Sequence, residues 1–577
     1  MDNKKLAEML MELSYMSELE NLPSSKFEAR AYLNAEQTVS TLQVGVEEIY
    51  KKEGKEGLMK LPGIGSGIAD KIIEYITTGK IKKYDVLKEK YPIDFTNLLQ
   101  LEGMGPKRAL LLYKNLGVRD LKSLKEAVEN HKIRSLPGFG EKSEEEIANS
   151  LKTLEVSKGR LLLGEALPVA EAILSKLKQS GLAKEVYIAG SLRRMRETVG
   201  DIDILAISDK PKEMMDFFVK LDETDHVIVK GITKTTVWLK IGLSCDLRVV
   251  EQSSIGSAMQ YFTGSKQHNI QVREIAIKKG YKLNEYGLFD KKDRNLAGGS
   301  EESIYEKLGM QYIQPEMREA RGEIELALEH KLPELVTYTD IKGDLHTHTK
   351  ETDGQNSLEE IAEKAISLGY RYLAITNHTK SLKIAHGMDD AHFVEFFDRI
   401  DKLNDKLEGK LTILKGAEID ILKDGSLDLE KSTIERMDCK IAALHSSFNM
   451  SEEEMTARAV KAIESGLVNI LAHPTGRIIN SRLPYMINLE KIAEAAERTG
   501  TALEINSFIT RLDLGDSSIL SIKNYKVDFA INTDAHATHH MEFIRYGIGT
   551  ARRGWLPKGR IINTLDTEAL LKRLKKS

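Results

Sequence analysis

Carboxylates and imidazoles recur along this 577-residue chain at spacings that suit metal chemistry. In GSLRRMRETVGDIDILAI, Gly190 to Ile207, the alternation of DIDIL predicts a strand. Residues i and i+2 of a strand share a face, so Asp201 and Asp203 lie side by side. Adjacent carboxylates repel unless a cation lies between them, and oxygen ligands favour a hard divalent ion such as Mg²⁺. A third carboxylate, Asp246, stands in the strand-like run VWLKIGLSCDLRVV. Three carboxylates on neighbouring strands can hold two ions, one activating a 3′-hydroxyl and one neutralising triphosphate and leaving group. The Gly190–Ser191 turn and Arg194 are placed to hold the phosphates. Asp-x-Asp alone says little; Gly-Ser ahead of it, followed by arginines, is far more specific.

The histidines are uneven, ten of the fourteen falling at or after His346. IKGDLHTHTKETDG puts His346 and His348 on one side of a strand, with Asp353 just beyond. Candidates then recur where apolar runs end: His378 in LAITNHT, Glu418 in LKGAEIDI, His445 in KIAALHSS, His473 in NILAHPTGR, and Asp534 and His536 in FAINTDAH. Helical stretches such as SLEEIAEKAISLGY and LEKIAEAAERTG separate them. Alternating strand and helix, with polar residues at strand ends, predicts a parallel α/β barrel whose site lies at that face. Imidazole and carboxylate without thiol suit Zn²⁺, Mn²⁺ or Fe²⁺, in a cluster of two or three ions. His386, His539 and His540 have no firm role, although His386 could contact substrate.

Three turns punctuate the front of the chain: LPGIG at Leu61–Gly65, LEGMG at Leu101–Gly105 and LPGFG at Leu136–Gly140. Each precedes a helical pattern, as in SGIADKIIEYITTGK. Glycine permits left-handed angles, and a helix N-terminus offers free N–H groups to an anion. Gly63, Gly65, Gly103, Gly105, Gly138 and Gly140 are therefore candidate contacts to a DNA backbone.

The bulk properties limit the function classes. The length predicts several domains, and 41% apolar with 30% charged residues describes a folded, soluble protein. MDNKKLAEMLMELSYM reads as an amphipathic helix, with neither a secretory signal nor a membrane anchor, and no apolar run is long enough to span a bilayer. Two distant cysteines, Cys245 and Cys439, suggest no disulfide framework, so a cytoplasmic location is expected. With a net charge of -4, any DNA contact must come from local patches or backbone amides.

GSLRRMRETVGDIDIL resembles the signature of polymerase-beta-type nucleotidyltransferases, the family X DNA polymerases, and YFTGSKQHNIQVREIAIKKGYKLNEYGLF resembles their thumb. The three glycine turns resemble their helix-hairpin-helix motifs. The resemblance implies Asp201, Asp203 and Asp246 as Mg²⁺ ligands and Ser191 and Arg194 on the incoming triphosphate. It further implies Tyr261 and Phe262 at the sugar, Gly264 among the nucleotide-binding residues, Asn269 at the base, Arg273 toward the template, and Glu285 and Tyr286 as a hydrogen-bonding pair of the thumb. Lys266 departs from the acidic residue of the animal relatives. Lys71 stands where family lyases form a Schiff base with an abasic sugar, but Gly67 replaces a neighbouring lysine, so an exposed helix lysine is an equal reading.

The histidine segments resemble the PHP domain. This implies His346, His348, Asp353, His378, Glu418, His445, His473, Asp534 and His536 as ligands of two to three Mn²⁺ or Zn²⁺ ions. Asn377 departs from the aspartate of many relatives, which implies tuning of the site rather than its loss. In polymerases of this arrangement the domain is associated with 3′–5′ exonuclease and 3′-end trimming, some members also cleaving at abasic sites.

The expected chain is multidomain: a helical helix-hairpin-helix region, an α+β nucleotidyltransferase palm and thumb, and a distorted (β/α) barrel. Boundaries are expected at 1–85 (first helix-hairpin-helix domain), 86–155 (fingers-like), 156–252 (palm), 253–316 (thumb), 317–340 (linker) and 341–577 (PHP). The expected function is gap-filling repair synthesis on gapped or nicked DNA with dNTPs, combined with 3′-end hydrolysis, a monomer being the default. The alternative is a PHP phosphatase of a small phosphate ester behind a DNA-binding front half.

Overall fold

A computed structural model describes residues 3–20, 22–42, 45–61, 63–99, 101, 104–157 and 159–575. They form two compact units, one built on residues 1–158 and the other on 159–479 with 484–577.

The first unit is helical. Its N-terminal amphipathic pattern becomes the helix Asn3–Leu19, which buries Leu6, Leu10, Leu13 and Met16 at helical spacing. Helix pairs flank each glycine turn: Val46–Met59 with Ser66–Thr78, Phe95–Leu98 with Pro106–Leu116, and Leu121–Glu129 with Glu141–Ser157. In every turn the residue between the glycines donates its N–H to the carbonyl three residues back: Ile64 to Leu61, Met104 to Leu101 and Phe139 to Leu136. Ile64 and Met104 are buried in the common core, and Phe139 packs against it. Gly63 and Gly138 need glycine because their φ is 69° and 81°. Gly65, Gly105 and Gly140 do not: nothing lies within 4 Å of a Cβ built there. Their open space leaves the following helix N-termini approachable from outside. Gly103 lies outside the described residues.

The palm is a five-stranded sheet in the order Glu185–Ile188, Asp201–Ile207, Ser244–Val250, Lys234–Leu239, Thr224–Lys230, with only the Asp201–Ile207 and Ser244–Val250 pair parallel. Glu185–Ile188 is an edge strand and only half-buried. VWLKIGLSCDLRVV is two antiparallel strands and not one, because Gly242, at φ 87°, turns the chain between them. The helices Ile255–Thr263 and Lys266–Lys278 and a three-stranded sheet form the thumb. Residues 315–341 make a short 3-10 turn, Pro315–Met317, and a helix, Glu323–Leu328. Gly322, at φ 103°, stands at the N-terminal end of that helix. Met317, Ile324, Ala327 and Leu335 join the thumb's core beside Ile304 and Leu308.

Seven parallel strands follow in sequential order, from Gly343–Asp344 to Phe529–Asn532. The first and last meet through a parallel bridge, Thr347 to Ala535, which closes the barrel. The strands are buried on both faces, as a helix-wrapped parallel sheet requires. Palm and barrel share one apolar cluster: Leu512 and Tyr546 of the barrel are buried among Leu163, Leu167, Val199 and Ile202 of the palm. No helix among the described residues is long and apolar enough to cross a membrane.

Candidate active sites

The palm site is built by register. Asp203 and Asp246 are direct partners across the parallel pair, and Asp201 shares the face of Asp203 at the strand's exposed start. Asp246 accepts hydrogen bonds from Thr236 Oγ1 at 2.5 Å and pairs with Lys234 at 3.0 Å and Arg248 at 3.4 Å. Gly190 sits against the triad with φ 64°, and a Cβ there would stand 2.3 Å from Asp203 Oδ2. No other residue fits so close to that carboxylate. The adjoining Ser191 Oγ is buried without a hydrogen-bond partner, a donor left for a ligand. Arg194, buried, donates from Nη1 to the Thr263 carbonyl and pairs with Glu319 at 3.1 Å. Tyr261 and Phe262 meet edge to face, 5.0 Å between centroids. Asn269 accepts from Gln260 and donates to the Tyr261 carbonyl, each at 2.7 Å, while Arg273 lies over the Tyr261 ring. Gly264, at φ 69°, lies against the Arg194 guanidinium. Tyr286 is exposed, and its carbonyl accepts from Ser254. In the helical unit, Lys71 Nζ lies 6.0 Å from the centre of the Tyr32 ring.

Burial, then Asp201 and Asp246, push the Asp203 carboxyl up to about 7. Without metal, the folded protein therefore keeps a proton that the unfolded chain has already released, and this site costs stability as pH rises from the ordinary carboxylate range to about 7. A divalent ion must displace that proton at lower pH and relieves the repulsion at higher pH. Mg²⁺ is expected to raise the melting temperature more at about pH 8 than at about pH 6. Equal shifts in calorimetry would remove Asp203 from the ligand set.

The barrel site gathers at the C-terminal ends of the strands. His346 and His348 follow the first strand, His378 the second, His445 the fourth, His473 the fifth, and Asp534 and His536 the seventh, while Glu418 lies in the third. Glu418 is central: Oε1 faces His473 Nε2 at 2.9 Å and His445 Nε2 at 3.2 Å. Its Oε2 faces His378 Nδ1 at 2.9 Å, His346 Nε2 at 3.4 Å and His348 Nε2 at 3.6 Å. Asp534 Oδ1 lies 3.1 Å from His348 and 3.5 Å from His346, and Asp353 lies 3.4 Å from both His378 and His536. Several of these spacings are long for hydrogen bonds, yet ligands about 2.1 Å from a tetrahedral ion stand about 3.4 Å apart. Three overlapping sets result: His348, Asp353, His378 and His536; His346, His348, Glu418 and Asp534; His378, Glu418 and His445. His346 Nε2, His348 Nε2 and Glu418 Oε2 are buried with no hydrogen-bond partner. Convergent orphaned donors of this chemistry fit a multinuclear centre.

Burial opposes the charge of Glu418 and Asp534, but the surrounding histidines outweigh it and hold both well below the usual carboxylate range. Burial, then His536 and His378, push His348 down to about 3, leaving it neutral as a ligand must be. Asp534 and His473 adopt positive φ, 54° and 27°, backbone strain at two expected ligand positions, of which His473 lies outside the three sets.

Several contributors escape sequence reasoning. Glu504, on the sixth strand, accepts from His346 Nδ1 at 2.7 Å and from the His473 backbone N–H at 2.8 Å, fixing which nitrogen of His346 faces the cluster. Its signal is a carboxylate in the middle of a strand-like segment, ALEIN, which a search for histidines passes over. Asp420, two residues from Glu418 on the same strand face, holds His445 Nδ1 at 3.2 Å. Arg511 brings Nε within 3.7 Å of Asp534, a cation at the rim. Asn377 bonds to the Thr349 backbone and hydroxyl and stays outside the three ligand sets. His386 is exposed, while His540 is buried, stacks on Phe543 and accepts the His536 backbone N–H. Replacing Glu504 by alanine is expected to weaken metal retention about 10–100-fold in chelator competition, with the metal-free fold intact by circular dichroism. Unchanged retention would reduce Glu504 to packing.

A nucleotidyltransferase palm and a phosphoesterase barrel in one compact unit define a class: polymerases that carry a hydrolytic partner domain. Family signatures match a helix-hairpin-helix domain at residues 1–81, a SAM-like helix-hairpin-helix tandem at 95–153, a DNA polymerase beta thumb at 258–319 and a PHP domain at 344–508. The DNA polymerase/3′-5′ exonuclease PolX of Bacillus subtilis is 39% identical over 524 residues, 90% of this chain and 91% of that protein. A probable phosphatase of Thermoanaerobacter sp. is 29% identical over 232 residues, 38% of this chain and 89% of its own length. Among solved structures, a ternary complex of Leishmania infantum polymerase beta matches at 24% identity over 39% of this chain and 97% of that one, with a TM-score of 0.27. The chain belongs to the family X DNA polymerases that bear a C-terminal PHP domain.

Proposed function

We infer that the protein is a DNA-directed DNA polymerase and 3′–5′ exonuclease that fills short gaps in DNA repair. One observation carries the reading: two separate candidate ligand groups, three carboxylates on adjacent palm strands and a histidine–carboxylate cluster in the barrel, stand on one chain. Mg²⁺ at the triad, and two to three Mn²⁺ or Zn²⁺ ions at the cluster, would supply nucleophile activation and charge neutralisation on phosphorus.

The chain's own residues do the rest. Ser191 and Arg194 hold the incoming triphosphate, the first through its partnerless hydroxyl. Tyr261, Phe262 and Gly264 bound the sugar, Asn269 meets the base, and Arg273 approaches the template. The glycine turns grip the DNA backbone through helix N-termini, independent of sequence. In the barrel, Arg511 meets the phosphate of a 3′ end. Abasic sites are a second proposed substrate, with Lys71 a candidate lyase nucleophile. The proposed setting is the cytoplasm, with a monomer as the simplest assembly.

A labelled-primer assay on single-nucleotide-gapped DNA tests this. With Mn²⁺ and dNTPs the primer is expected to lengthen by one nucleotide, and without dNTPs to shorten from its 3′ end. A primer left unchanged in both conditions would move the balance to a small-ester phosphatase.

A further inference from the structure

The barrel contributes a side chain to the surroundings of Arg194. Arg553 ends the barrel helix Ile544–Arg553 and is only 5% exposed. Its Nη1 donates to the Arg194 carbonyl at 2.8 Å and to Glu319 Oε1 at 2.9 Å, and its Nη2 donates to Asp516 at 2.7 Å. Glu319 is thus shared by three arginines: Arg553, Arg194 through Nε at 3.1 Å, and Arg196 at 3.3 Å. Asp516 also pairs with Arg321 at 3.0 Å. The same helix presents Gly549 to Met195, so close that a Cβ there would lie 2.7 Å from the methionine's terminal carbon. The backbone of residues 194–196 is therefore seated on the barrel helix from two directions.

Arg194, Arg196, Arg321 and Arg553 face two carboxylates, leaving an excess of positive charge in the ion-pair network that includes Arg194. Such an excess favours a polyanion. It also keeps Glu319 from holding Arg194 exclusively, since a carboxylate divided among three guanidinium groups binds each less tightly. We propose that Arg553, a residue of the PHP domain, is a positioning residue for the polymerase reaction: it anchors the Arg194 backbone and takes a share of the Glu319 carboxylate, so that Glu319 holds the Arg194 guanidinium less tightly against the pull of an incoming dNTP triphosphate. Removing Arg553 gives Glu319 more fully to Arg194 and loosens the turn that carries it. Either effect weakens nucleotide binding, with no reason to slow the barrel's own hydrolysis. The proposal rests on Arg194 being a triphosphate contact.

The test is steady-state gap filling by full-length Arg553→Met and Arg553→Lys variants, with 3′–5′ degradation measured on the same preparations. Arg553→Met is expected to raise KM for dNTP about tenfold with kcat changed by less than about threefold, the size of a typical coupling between contacting charged residues. Arg553→Lys keeps the charge but cannot make all three bonds, so a smaller rise is expected. Degradation should match wild type. If Arg553→Met does not fold, Arg553→Lys decides alone. Unchanged KM, or extension and degradation falling together, overturns the proposal in favour of a structural role. Arg194→Ala separates the two readings. If it leaves KM unaltered, Arg194 is no triphosphate contact and both ideas fail; if it raises KM while the Arg553 variants do not, only the present one does.

Discussion

Replacing Asp201 and Asp203 together by alanine is expected to lower primer extension on the order of 10⁴-fold, while 3′ degradation continues at the wild-type rate. Two of the three carboxylates that face one another across the parallel palm strands are removed, and Asp246 alone cannot hold two ions in line. The loss should not come from unfolding. Asp203 is pushed up to about 7 by burial and by its two neighbours, so the metal-free triad is under mutual repulsion. The double variant should therefore melt no lower than wild type in EDTA. Extension that persists would place nucleotidyl transfer elsewhere. Degradation lost in parallel would mean that one site serves both reactions.

Glu418→Gln is expected to produce the complementary pattern: 3′ degradation reduced about 10³-fold, extension retained, and bound metal lowered in elemental analysis. The change keeps the shape of a fully buried side chain and removes only its charge. Both oxygens of Glu418 face imidazole nitrogens, Oε1 toward His445 and His473 and Oε2 toward His346, His348 and His378. An uncharged amide would be a weaker metal ligand than a carboxylate, and its NH₂ group would confront the imidazole nitrogens. Degradation that survives with normal metal content would show that the Glu418 charge is not needed to hold metal, and the hydrolytic centre would have to be sought around Asp353 and His536 instead.

How far these sites could be read in advance depended on how local their signals are. DIDIL declares its face through a two-residue period, and Asp201 with Asp203 needed nothing more. The candidate barrel ligands recur in six segments, most of them at the end of an apolar run, a pattern visible without knowing which strands are neighbours. The glycine turns were equally local, each defined within five residues. Where the reading slipped, a single residue redirected the backbone: Gly242 folded one apparent strand into two. Hydrophobic periodicity carries no information about such turns, because it reports burial and not chain direction.

What the sequence determined by itself is the inventory: which carboxylates and imidazoles are candidates for metal chemistry, which elements bear them, and the family of folds those elements build. What the tertiary structure alone decided is the company each group keeps. Glu504 orients His346 across 158 residues, and Arg553 reaches Arg194 across 359. Leu512 and Tyr546 of the barrel complete the palm's core. These are contacts between segments whose local patterns are satisfied independently, so nothing in either segment specifies its partner. Only packing of the whole unit, which buries both apolar faces at once and leaves each buried charge a partner, selects them.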